Sequence, residues 1–314
     1  MNEPVNVVHS RSEFLAARAK LPGAQRSGAQ QFGESGTLGV VLTMGALHDG
    51  HAALMDAARA ECDSLVATVF VNPLQFGDPA DLSRYPRTLE ADVAIARDHG
   101  VDLLWAPGVS DVYTAGEVEV TLNSGRLGQE LEGSARPGHF DGMLTVVAKF
   151  LNIIRPDRAY FGEKDYQQLT LIKRMVADLD LGPQIVGVPT VRESDGLALS
   201  SRNVFLSAEE RARSLALSGA LTAGRDAAGA GADAALVAAQ RVLDEAGITA
   251  DYLALRGNDL GSPRPGEAAR LLVAAKFGAT RLIDNIGIDV LAGRPTAADG
   301  ASAANEQALR SDQA

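Results

Sequence analysis

Five continuous apolar runs, separated by stretches with helical spacing, constrain this chain more than any other feature. LGVVL (residues 38–42), SLVATVFV, VDLLWAP, DRAYFG and QIVGVPT do not alternate apolar with polar residues. That is the pattern of strands buried on both faces. Between them lie HAALMDAARAE, TLEADVAIARDHG, MLTVVAKFLNIIRP and DYQQLTLIKRMVADL, which read as helices. Strand and helix in alternation predict an α/β fold with a doubly wound parallel, Rossmann-like sheet. Ligands of such sheets sit beyond the carboxyl ends of the strands, so TMGALHDGH, FVNPLQFG and FGEKDYQQ are expected to face one crevice.

The pattern changes around Pro189. VRESDGLALSSRN is polar, Ala-rich helices follow from about 207 to 247, and ADYLALR, RLLVAAKFG and TRLIDNIGIDV resemble strands of a small antiparallel sheet. The expected domains are therefore 1–190, Rossmann-like, and 191–291, a smaller C-terminal α+β unit. The segment 292–314 is expected to be a disordered tail, and the Gly-, Ser- and Gln-rich stretch 21–37 a flexible loop. Gly229, Gly231 and Ala234 nominally fit a dinucleotide fingerprint but follow no strand, and no GxxxxGK[ST] phosphate loop occurs.

A formal net charge of −11 disfavours a nucleic-acid surface, which needs clustered Lys and Arg. No run of about 20 apolar residues predicts a membrane span, and the opening MNEPVNVVHS lacks the features of a signal peptide. A soluble cytoplasmic protein is the expectation. The single cysteine, Cys62, lies in a helical pattern and is read as a packing or surface residue.

Four segments could carry chemistry. In TMGALHDGH, His48 and His51 fall at the turn into a helix, where backbone N–H groups favour an anion. A phosphate site, a metal site lacking an evident third ligand, and a plain turn all fit this stretch taken alone. FVNPLQF supplies the neutral amides Asn72 and Gln75, suited to a carboxylate or hydroxyl, or to a structural turn. FGEKDYQQL offers Lys164 for phosphate and Gln168 one turn later, or simply a charged first helical turn. LSSRN places two hydroxyls beside Arg202, a phosphate clamp or a capped turn. The basic loop RYPRT (84–88) is a cover or solvated surface.

The HxGH after the first strand, with a later Ser/Lys/Arg-rich loop, resembles the HIGH and KMSKS pair of the nucleotidyltransferase superfamily. More narrowly, TMGALHDGH, FVNPLQF, RYPRT, FGEKDYQQL, VPTVRESDGLALSSRN and DYL together resemble the pantothenate synthetases, which are ATP-dependent pantoate–β-alanine ligases. The resemblance implies a two-step reaction: pantoate and ATP give pantoyl adenylate and pyrophosphate, and β-alanine then displaces AMP. It implies that Met44, Gly45, Ala46, Leu47, His48, Asp49, Gly50 and His51 lie along ATP, with His48 and His51 at the phosphates and His51 as proton donor. Gly162, Glu163, Lys164, Asp165 and Val191 match further nucleotide contacts, with Lys164 on phosphate. Leu199, Ser200, Ser201 and Arg202 match a mobile phosphate clamp. Gln75 and Gln168 match the pantoate-binding amides, and Gln75 with Asn72 the β-alanine position. Magnesium on the ATP phosphates, with Asp92 as a contact, and a homodimer are also implied; VEVTL (118–122) is a candidate strand edge for such a dimer, or a strand within the monomer.

The chain departs from that pattern at Leu42, where Pro is common, at Leu199, where Met is usual, and at Ala91, where relatives can carry an acid. A nucleotidyltransferase making a dinucleotide or CDP-alcohol, and a regulatory module without turnover, are the competing readings. Gln75 and Gln168 argue against the first, and intact His48, His51, Lys164 and Arg202 against the second.

Overall fold

The computed structural model describes residues 5–22, 36–77, 79–264 and 266–289. It divides into two compact units, 1–205 and 206–314. The expected boundary lay at 190. In the structure 191–199 falls within the first unit and folds on itself: Leu199 N–H donates to Val191 O and Glu193 N–H to Leu197 O. Most of the loop expected over 21–37, and the tail from 292, lie outside the described residues.

The first unit holds six parallel strands, β1 (Asn6–Val8), β2 (Leu38–Thr43), β3 (Ser64–Val69), β4 (Leu103–Trp105), β5 (Arg158–Gly162) and β6 (Gln184–Val188), in the order β1-β4-β3-β2-β5-β6. Its helices are α1 (Arg11–Arg18), α2 (Asp49–Glu61), α3 (Pro79–Arg84), α4 (Leu89–Asp98), α5 (Val109–Val112), α6 (Glu132–Ala135), α7 (His139–Ile154) and α8 (Tyr166–Asp178). The doubly wound sheet is as expected, and β2 and β5 are its adjacent central strands, paired Val41 to Tyr160. Strand order reverses between them, so the loops leaving their carboxyl ends part to opposite faces and leave a crevice.

β1 was not expected, because three residues give no periodicity. It pairs Asn6 with Leu103, and α1 follows behind a capping box of Ser10 and Glu13. Phe14 of α1 stacks on Trp105 at 4.3 Å, and the Trp105 indole N–H donates to His9 O. Both rings are wholly buried. VEVTL forms no strand: Val120 is 87% exposed, and Leu122 N–H donates to the Thr145 hydroxyl rather than to a neighbouring strand. Cys62 is buried against β2, where a Cβ added to Gly39 would lie 2.9 Å from its sulfur, so the close packing requires glycine.

The second unit packs α9 (Ala208–Ala227) and α10 (Ala232–Glu245) on an antiparallel sheet of β7 (Ala250–Gly257), β8 (Ala268–Phe277) and β9 (Thr280–Asp289). Gly229 and Gly231 lie in the turn between the two helices, which accounts for them without a ligand.

One close approach in the first unit sets the site. The carbonyl of Leu74 lies against Gly142 of α7, where an added Cβ would come within 2.1 Å of that oxygen. Gly142→Ala is expected to lower stability by roughly 1–3 kcal/mol, the usual range for overpacking. Urea unfolding of the variant checks this, and an unchanged midpoint would contradict the close fit.

Candidate active site

A cavity of about 250 Å³ opens where the loops after β2, β3 and β5 converge. The loop after β2 is the most constrained of them. Gly45 has φ +83° and Ala46 has φ +52°, so two successive residues occupy the left-handed region. Gly45 does so freely, whereas an Ala there costs of order 1 kcal/mol. Asp92 of α4 holds the turn: its carboxylate accepts from Ala46 N–H at 3.2 Å, from Leu47 N–H at 2.8 Å and from the Thr88 hydroxyl at 3.2 Å. The Thr43 side chain accepts from Gly45 N–H and donates to Thr68 O, tying the turn back to the sheet.

This geometry delivers His48 to the N-cap of α2. Its Nδ1 accepts from Gly50 N–H at 3.1 Å, while His48 N–H donates to Nδ1 of His51 at 3.3 Å. The two imidazoles thus form a capping box in which histidines replace the usual hydroxyl and carboxylate. With both Nδ1 atoms accepting, a neutral ring carries its proton on Nε2. Burial and the nearby Lys164 lower the His48 pKa, and burial followed by the neighbouring His48 pushes His51 down to about 3. Both rings are neutral N–H donors near pH 7. The sequence suggested bare backbone N–H groups at this helix start, but Gly50 N–H is already taken by an imidazole.

The turn after β3 supplies the amides. Asn72 is 1% exposed and caps the turn Pro73–Gln75: its Oδ1 accepts from Leu74 N–H and the Tyr113 hydroxyl, and its Nδ2 donates to Gly142 O and to Gln75 Oε1. These bonds orient Gln75, leaving its Nε2 as the donor end, 3.1 Å from the Met44 sulfur. On α8, Gln167 is buried with bonds to Glu132 N–H and to the Leu127 and Glu130 carbonyls. Gln168 instead lines the cavity, as does Lys164.

Met44, His48, Gly50, His51, Asn72, Gln75, Gly162, Lys164, Asp165, Gln168, Val191, Leu199, Ser200, Ser201 and Arg202 all line this one cavity. Gly45, Ala46, Leu47, Asp49 and Glu163 lie beside it rather than on it. Asp92, expected to contact a metal, is 1% exposed and committed to the loop it anchors. Among the described residues no group of three His, Cys, Asp or Glu could hold a metal ion. The Ser–Arg segment is pinned by Asn203, which donates to Glu193 Oε1 and Ala198 O.

Tyr85 of the RYPRT loop reaches the cavity and packs edge-on against Phe76. Arg136 and His139 line it without having been singled out in the sequence, as does an apolar wall from α7 of Met143, Val146, Val147 and Phe150. The wall was legible as an apolar helix. ARPGHF leads into the first turn of that helix rather than ending a strand, so the strand-end pattern does not mark it.

The family model for pantoate-beta-alanine ligase matches residues 17–287. A pantothenate synthetase of Salinispora arenicola is 53% identical over 288 residues, covering 90% of this chain and 98% of that protein. One of Mycolicibacterium smegmatis is 58% identical over 254 residues, 80% of each chain. The crystal structure of pantothenate synthetase from Thermus thermophilus superposes with a TM-score of 0.80 at 46% identity, over 92% of this chain and 100% of that one. The pantoate-beta-alanine ligase from Francisella tularensis, complexed with beta-gamma ATP and beta-alanine, has a TM-score of 0.73 at 32% identity, over 90% of this chain and 97% of that one.

Two outcomes follow from the geometry. Replacing Asp92 by Asn puts an amide NH2 against the backbone donors, leaving one buried N–H unmet at a cost of roughly 1–3 kcal/mol. Urea unfolding and the amide resonances of Ala46 and Leu47 read that loss, and an unperturbed loop would refute the anchor. The pH effect has a definite sign. His51 and His139, at about 3 and about 4 in the folded chain, have an ordinary value of 6.5, so the unfolded chain takes up protons first. Stability is full above about pH 6.5 and declines as pH falls toward 4, and His51→Gln is expected to flatten that decline in urea midpoints measured from pH 7 to 4.5.

Proposed function

This chain belongs to the pantoate–β-alanine ligase family and makes pantothenate at the expense of ATP, and we propose that the cavity of the first unit performs both half-reactions. The observation that carries the reading is the meeting of neutral imidazoles, a lysine, two arginines and three side-chain amides on one pocket with an apolar wall. An ionised carboxylate is already a nucleophile, so adenylation needs no serine or cysteine; it needs alignment and charge stabilisation.

Pantoate binds with its hydroxyls and carboxylate toward Gln75 Nε2 and Gln168 and its two methyl groups against Val146, Val147 and Phe150. One carboxylate oxygen attacks the α-phosphorus, and the bond from that phosphorus to the pyrophosphate oxygen breaks. Charge grows on the phosphate oxygens during this step. His48 and His51 meet it through Nε2–H, Lys164 and Arg202 through full charges, and the hydroxyls of Ser200 and Ser201 as further donors. Neutral imidazoles add hydrogen bonds without demanding a proton at low pH. In the second step the amine nitrogen of β-alanine attacks the acyl carbon, the bond to AMP breaks, and the nitrogen loses a proton. Gln75, held by Asn72, remains beside the carbonyl.

ATP is proposed to enter as its magnesium salt, the cation held by phosphate and water oxygens as hard cations prefer. Asp92 acts on the loop and not on that ion. The family resemblance supports a homodimer. No helix among the described residues is long and apolar enough to cross a membrane.

The purified chain is expected to form AMP only when pantoate and β-alanine are both present, and pyrophosphate when ATP and pantoate are. His51→Ala should slow pyrophosphate release by roughly 10²- to 10³-fold, the usual loss for one transition-state donor, with circular dichroism unchanged. Release at the wild-type rate would remove His51 from the chemistry. Lys164→Ala should weaken ATP binding and slow the same step.

A further inference from the structure

The reaction assigned above brings three anionic groups into one cavity, and its cations are unequally used. Lys164 and Arg202 serve the polyphosphate. The pantoate carboxylate loses its charge on becoming an acyl phosphate ester. The carboxylate of the amino acid takes no part in bond formation and keeps its charge throughout, yet no charged residue has been given to it. A carboxylate brought into a partly enclosed pocket needs a charge-assisted donor.

Arg136 also lines the cavity. It follows α6, and its guanidinium is set by His139, the first residue of α7: Arg136 Nη1 lies 2.9 Å from His139 Nε2. A guanidinium can only donate, so this Nε2 accepts and the ring proton sits on Nδ1. Nδ1–H then donates to the Gln75 carbonyl at 2.9 Å. The ring is 6% exposed, so the plane of the guanidinium and the backbone of Gln75 are locked to one rigid element. Burial, then the charge of Arg136, pushes the His139 pKa down to about 4, which keeps the ring an acceptor for Arg136.

Resting on the reading of this cavity as the ligase site, we infer that Arg136, set by His139, binds the non-reacting carboxylate of the amine substrate. The same chain of bonds ties that carboxylate to Gln75, so the amine is presented at a fixed distance from the acyl carbon. Amines with a carboxylate at the far end are the substrate class this selects; His139 is a positioning residue.

The experiment separates the half-reactions. Pyrophosphate release with ATP and pantoate is measured first, then AMP formation as β-alanine or its uncharged amide is varied, for the wild type, Arg136→Gln, Arg136→Lys and His139→Gln. In Arg136→Gln the loss should fall on the second half-reaction: KM for β-alanine rises roughly 10- to 100-fold, the scale of one charge-assisted contact. Its preference for β-alanine over β-alaninamide should collapse by a similar factor. Arg136→Lys should recover part of both, and His139→Gln should move KM for β-alanine in the same direction by less. A fall in pyrophosphate release matching the fall in AMP, with the preference for β-alanine intact, would overturn the assignment and put Arg136 on ATP or pantoate. A wild-type chain that releases no pyrophosphate would instead overturn the ligase reading.

Discussion

The carboxylate of Asp92 is the contact on which the rest of the site depends. It comes from α4, yet it fixes the turn leaving β2 by accepting from two consecutive backbone N–H groups. That pair of bonds, with the Thr43 hydroxyl accepting from Gly45 N–H, offsets the cost of holding a non-glycine residue, Ala46, at φ +52°. Once the turn is set, His48 must cap α2 and His51 must lie one turn on. Everything the imidazoles do therefore rests on a side chain that never reaches the cavity. Rigid support of this kind keeps donors aligned before substrate arrives, which is where electrostatic stabilisation draws its strength.

The cavity divides its work between two kinds of donor. Lys164, Arg202 and Arg136 bring full charge, and the imidazoles bring direction without charge. Lys164 is itself one reason His48 resists protonation. A chain with a net charge of −11 does not attract ATP as a whole. Local cations beside low-dielectric walls achieve at short range what the overall field opposes, since charges farther than about 8 Å are screened at physiological salt.

How much of this was legible in the sequence depended on whether the signal was local. β2, β3 and β5 were readable because strands buried on both faces are continuously apolar, and their loops followed from the sheet's handedness. β1 was too short to show a period. VEVTL had strand-forming residues but pairs with no strand among the described residues of this chain, and residue type alone cannot supply a partner. His48, Gln75 and Lys164 stood out because they lie where a strand ends or a helix opens, and Arg202 because it follows two serines in a polar stretch. Asp92 entered only through the family resemblance, as a metal contact, and the backbone partners it holds lie 45 and 46 residues away. Arg136 and His139 gained meaning only when α7 was seen to press Gly142 against the turn carrying Gln75.

The chain contains one tryptophan, and the stacked pair of Phe14 and Trp105 puts it deep in the parallel sheet of the first unit. Its emission is therefore a private signal of that unit. The second unit, with no indole, can loosen or unfold without altering it, while far-ultraviolet ellipticity sums both. Superimposable denaturation curves from the two probes would mean that the halves of the chain unfold as one cooperative system. Curves that separate would give each half its own stability without any label being introduced.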